Sequence, residues 1–114
     1  MRQPPQTNLT ITMTAEHEDI TPEQAEKEYG YHEGFAKAVR GVMARAQAPW
    51  GWCTIKVTAK IGEFEANAYL GGCSYEGPED FITSDCVDAN GKSVGGYFDD
   101  MVKDAIKELK DKLR

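Results

Sequence analysis

A chain of 114 residues with a net charge of −6 is long enough for one folded domain and carries the wrong sign for gripping phosphate backbones. At that size folding buries roughly two-thirds of the surface the unfolded chain exposes, so no disulfide or metal is needed as a staple. No apolar run approaches the roughly 20 residues of a bilayer-spanning helix, and MRQPPQTNLT lacks the apolar stretch of a secretory signal, which points to a cytoplasmic protein.

Residues 1–7, with Pro4 and Pro5 and no apolar anchor, are expected to be a flexible terminus before a single domain spanning 8–114. In NLTITMTA, Leu9, Ile11, Met13 and Ala15 alternate with threonines, which predicts a strand over 8–15. A helix start follows. Thr21 suits the N-cap, Pro22 the first helical position, and Gln24 completes a capping box. Ala25, Tyr29, His32, Phe35, Ala36, Val39, Val42, Met43 and Ala46 then recur at 3–4 spacing, so one long amphipathic helix is predicted over about 22–47, closed by Pro49. Gly30, Gly34 and Gly41 are costly guests in it. Gly30 and Gly34 share a face and favour close packing against another backbone, with a break near Gly30 as the alternative.

TIKVTAKIGEFEANAYLGG reads as a hairpin with Gly62-Glu63 as a type II′ turn. That turn sets Ile61 opposite Phe64, Ala59 opposite Ala66, Val57 opposite Ala68 and Ile55 opposite Leu70, all on one face. Lys60–Glu65, Thr58–Asn67 and Lys56–Tyr69 lie on the other. The same register puts Cys53 and Cys73 on opposite faces unless Gly71-Gly72 forms a bulge. Downstream, Pro78 with Phe81, Ile82, Cys86 and Ala89 predicts a short helix ended by Asn90-Gly91, with a short strand over 81–87 as the alternative. GGYFDDMVKDAIKELKDKLR predicts a helix over 97–113, with acids in its first turn and bases in its last. The order gives an α+β fold: an antiparallel sheet of about three strands, with the long N-terminal helix and the C-terminal helix packed on one face.

Motifs for chemistry are missing. His17 and His32 each precede a glutamate, but the His-Glu-x-x-His zinc helix would need histidine where Ala36 stands. Cys53, Cys73 and Cys86 include no Cys-x-x-Cys pair and read as small buried hydrophobes. GGCSYEG is not Gly-x-Ser-x-Gly, and neither the 71–72 nor the 95–96 glycine pair has the sequence of a phosphate loop. No catalytic set, metal site or cofactor is expected. Trp50 and Trp52 read as anchors at the edge of the core.

The charge is concentrated. Residues 15–33 hold seven acids against Lys27, and residues 76–100 hold seven against Lys92, while the remainder is mildly basic. The second segment is the better binding candidate because tyrosines flank its acids. Tyr75, Glu76, Glu79, Asp80, Asp85, Asp88, Tyr97, Asp99 and Asp100 combine charge for steering with aromatic contact area, which suits a basic protein partner better than nucleic acid or a membrane.

WGWCTIKV, YLGGCSY and GGYFDDMVKDAI resemble stretches of small bacteriophage- and prophage-encoded proteins, over about residues 50–106. ITSDCVDANGKSV, between the second and third of these, resembles an insertion. As a class, small acidic phage proteins resemble inhibitors of bacterial defence, the anti-CRISPR and anti-restriction proteins. That resemblance implies a non-enzymatic protein in the host cytoplasm. It would inhibit a nuclease or CRISPR-Cas effector by steric block or nucleic-acid mimicry, as a monomer or homodimer. A homodimeric structural or assembly protein of phage origin is the alternative, pairing through the strand at 8–15 or the polar sheet face.

Overall fold

Alternation of apolar and β-branched residues builds a three-stranded sheet, seen in a computed structural model that describes residues 8–84 and 96–113. Strand β1 (Thr10–His17), β2 (Cys53–Ile61) and β3 (Phe64–Cys73) are antiparallel in the order β1-β2-β3. Every hairpin pair from Ile61↔Phe64 to Ile55↔Leu70 forms as the alternation predicts. Gly62 takes φ 58° and, among the described residues, positive φ is confined to glycines, so Glu63 is not left-handed, the sign pattern of a type II′ turn. Strand β1 runs beyond the predicted Ala15, because Glu16 and His17 still find partners in Thr54 and Cys53.

One sheet face is core. Ile55, Val57, Ala59 and Ala66 have no solvent-accessible surface, and helix α4 (Tyr97–Lys112) lies over β2 and β3 on that side. Near the turn, Ala59, Ala66 and Ala105 are small enough for Leu109 to sit fully buried among them. Toward the other end the filling is larger: Trp50, Ile55, Val57, Phe81 and Met101. Lys112 Nζ donates to the Glu65 carbonyl (2.8 Å), tying the end of α4 to β3. The opposite face carries Thr58, which donates to Asn67 Oδ1 (2.6 Å), and Lys56 above the Tyr69 ring (5.9 Å). Among the described residues no helix is long and apolar enough to cross a membrane.

The long N-terminal helix is replaced by two short ones, α1 (Pro22–Glu28) and α2 (Phe35–Met43). Gly30 and Gly34 adopt φ 69° and 94°, left-handed values that end one helix and redirect the chain into the next. The capping box at Thr21 and Gln24 forms as predicted. The two helices are then fastened side by side. Glu23 takes two hydrogen bonds from Arg40 (3.0 and 2.8 Å), and Glu26 Oε1 accepts the Ala36 N–H (2.8 Å) at the open start of α2. Ala25 and Val39 meet Trp52, not the sheet face. Ala25, Ala36 and Val39 keep helical spacing across the gap, so periodicity alone cannot separate one helix from two.

Helix α3 (Pro78–Thr83) buries Phe81 and ends at Ser84; its predicted continuation to Ala89 lies outside the described residues. Gly96 packs so closely on Ser84 that an added Cβ would collide with the Ser84 carbonyl oxygen. Gly51 is similarly constrained, its would-be Cβ lying 2.6 Å from the Met43 Cα.

The two-helix arrangement predicts the sign of a mutational effect. Gly30→Ala and Gly34→Ala should each destabilise the fold by about 1–2 kcal/mol, since a side chain resists left-handed backbone. In a continuous helix each would stabilise it by about 1 kcal/mol. Urea unfolding of the two variants reads the difference.

Candidate functional site

The far end of the hairpin departs from regular pairing. From Leu70 to Cys73 strand β3 holds one residue more than β2, so Cys73 faces Cys53 and both thiols point into the core. This corrects the opposite-face placement that unbroken register implies. Gly72 supplies the left-handed conformation (φ 65°), and its N–H donates to Glu18 Oε1 (2.6 Å). The Thr54 hydroxyl donates to the same oxygen (2.7 Å). One half-buried carboxylate therefore ties the loop after β1 to β2 and to the bulge.

Beside the bulge lies a groove of about 400 Å³ lined by Tyr31, Leu70, Gly71, Gly72, Cys73, Ser74, Tyr75 and Tyr97. Across Tyr31 and the two glycines it adjoins a hollow of about 240 Å³ that Glu18, Ile20, Tyr29, Trp52 and Thr54 also line. Each tyrosine has a distinct support. Tyr31 stacks on Phe35 (4.3 Å between centroids), which meets Trp52 edge-on (5.9 Å). Tyr75 meets buried Phe81 edge-on (4.9 Å), and its N–H donates to the Trp50 carbonyl (2.9 Å). Tyr97 is the first residue of α4 and is half exposed. The Ser74 hydroxyl oxygen is buried and has no hydrogen-bond partner among the described residues.

The acids predicted for the site divide by role. Asp80 Oδ2 accepts the Glu76 N–H (3.0 Å), holding the turn before α3. Glu76 pairs with Arg45 (3.3 Å), and its carbonyl accepts the Gln47 N–H (2.8 Å). Glu79, Asp99 and Asp100 are exposed, on α3 and the first turn of α4, and Phe81 and Phe98 join those helices edge-on (6.4 Å). Asp85 and Asp88 lie outside the described residues.

Of the groove residues, sequence reasoning named Tyr75 and Tyr97 but not Tyr31 or Ser74, nor Glu18 in the adjoining hollow. Tyr31 falls between Gly30 and Gly34, a spacing that signals a turn once both glycines are read as breaks. Glu18 gave no local signal, since its partners are 36 and 54 residues away. Trp50 and Trp52 are buried, as expected of anchors. His17 and His32 are exposed, and among the described residues no three His, Cys, Asp or Glu side chains are grouped as metal ligands.

Searches against protein-family models, curated proteins and solved structures find no match to this chain.

Burial governs the thiols. Desolvation raises Cys53 to about 11, with the Glu18 charge adding to it, and raises Cys73 to about 12. An unfolded thiol near 9.0 ionises first. Stability should therefore be unaffected by these groups below about pH 9 and fall as pH rises toward about 12. In a Cys86→Ser background a chromogenic disulfide reagent should leave both thiols unmodified in the native protein at neutral pH and modify both in denaturant.

Proposed function

We propose that this chain is a binding protein without chemistry of its own, which docks its acidic, tyrosine-lined end on a basic protein. The observation that carries the reading is the meeting of Tyr75 and Tyr97 with Tyr31 in one groove that, among the described residues, no lysine or arginine lines. Exposed Glu79, Asp99 and Asp100 stand on the helices at that end, where they would steer a cationic surface and repel nucleic acid. The half-exposed Tyr97 offers contact area at low entropic cost. The raised thiols are poor nucleophiles at neutral pH. With the resemblance to phage proteins, the fitting role is an inhibitor that covers the nucleic-acid-binding surface of a host nuclease or CRISPR-Cas effector in the bacterial cytoplasm.

A second reading rests on β1, which is an outer strand of the sheet. Two copies pairing along β1 would give a homodimeric assembly protein. Sedimentation at two protein concentrations separates the two readings, because only the dimer changes with dilution.

Charge reversal tests the first. Glu79, Asp99 and Asp100 hold no side-chain hydrogen bond among the described residues, so Glu79→Lys, Asp99→Lys and Asp100→Lys together should keep the fold. Loss of the helix-dipole contribution at Asp99 and Asp100 costs about 0.3–1 kcal/mol each. Affinity capture from nuclease-treated bacterial lysate should retain a basic protein on the parent chain and lose it on the triple variant. Capture of the same protein by both overturns the acidic-end reading.

A further inference from the structure

Resting on that reading, we propose that the groove between Tyr31 and Tyr97 receives an arginine side chain from an extended basic segment of the partner. Tyr31, Tyr75 and Tyr97 reach the groove from the α1–α2 turn, the exit of β3 and the start of α4. A space of about 400 Å³ holds one long side chain with the backbone beside it, not a folded element. Aromatic faces attract a cation, and a guanidinium stacks on them while its N–H groups reach acceptors around its edge. Acceptors are at hand in the hydroxyl oxygens of Tyr31 and Tyr97, both exposed residues of the groove lining.

The electrostatics select the same occupant. Among the described residues no basic side chain lines the groove or the hollow beside it, and the hollow carries the Glu18 carboxylate. Asp99 and Asp100 follow Tyr97 in the first turn of α4. Among the described residues, a phosphate-bearing ligand would meet like charge there. A lysine would find the same charge but lacks the planar, weakly hydrated head that stacks on an aromatic ring. Gly71 and Gly72 leave the groove floor bare backbone, so an extended segment can lie close against the end of β3.

Calorimetric titration of the full chain with a short Arg-Gly repeat peptide, and with its lysine and citrulline counterparts, tests the proposal. The arginine peptide should bind, and citrulline, which keeps the shape and loses the charge, should bind at least about tenfold more weakly. Tyr31→Leu and Tyr97→Leu should each weaken the arginine peptide about 2- to 30-fold. Tyr31→Phe and Tyr97→Phe, which keep the ring, should retain most of the affinity. Both tyrosines are more than two-fifths exposed, so the variants should fold, and unchanged urea midpoints verify it. Equal binding of arginine and citrulline peptides, or full affinity in the leucine variants, overturns the groove assignment. So does a parent chain that ignores the arginine peptide while its captured basic protein is still lost on charge reversal, and the acidic-end reading then survives. If the captured protein also persists on charge reversal, both fall together.

Discussion

One extra residue in β3 shapes the functional end of the molecule. Regular pairing from Ile61↔Phe64 to Ile55↔Leu70 alternates faces strictly, and continued unchanged it would turn Cys73 away from the core. The bulge at Gly71-Gly72 resets that alternation, brings Cys73 under cover and leads the chain through Ser74 to Tyr75, against Phe81. A β-bulge leaves a backbone N–H without its ladder partner, and here Glu18 accepts it. The carboxylate that satisfies the bulge also pins the loop leading to α1, so sheet irregularity, loop path and groove wall rest on one acceptor oxygen.

That dependence changes the meaning of the acidic residues. A cluster of negative charge in sequence suggests a surface for a cation, yet three acids of the 15–33 segment are already committed within the molecule. Glu18 holds the bulge, Glu23 holds Arg40, and Glu26 caps α2. In the second segment Asp80 and Glu76 are likewise engaged, which leaves Glu79, Asp99 and Asp100 as its uncommitted acids among the described residues. Free charge, not total charge, is what a partner meets. Exposed pairs such as Arg40–Glu23 contribute little stability singly, because solvent screens them. Their larger effect is to fix where a helix turns back.

The fold was legible where the pattern is local. Alternation gave the hairpin and its turn residue by residue, because a one-residue slip would expose every apolar group on that face. The amphipathic stripe and end charges located α4 to within a residue. The α1–α2 region misled because its apolar spacing survives the interruption, and only the conformational cost of Gly30 and Gly34 marks the break. The groove was half legible. Tyr75 and Tyr97 stood out beside acids, whereas Tyr31 enters through stacking on Phe35 and Trp52, a tertiary arrangement with no sequence period. Bulges, and carboxylates acting across dozens of residues, leave no trace in periodicity.

The two ends of the 85–95 connection meet at one point of the fold, with a glycine where a side chain would not fit. When both ends of a connection are held together, its length is nearly decoupled from the stability of the rest. Doubling a loop costs only about 0.6 kcal/mol in closure entropy. At the Ser84–Gly96 junction, then, the number of intervening residues bears little on the stability of the sheet and α4.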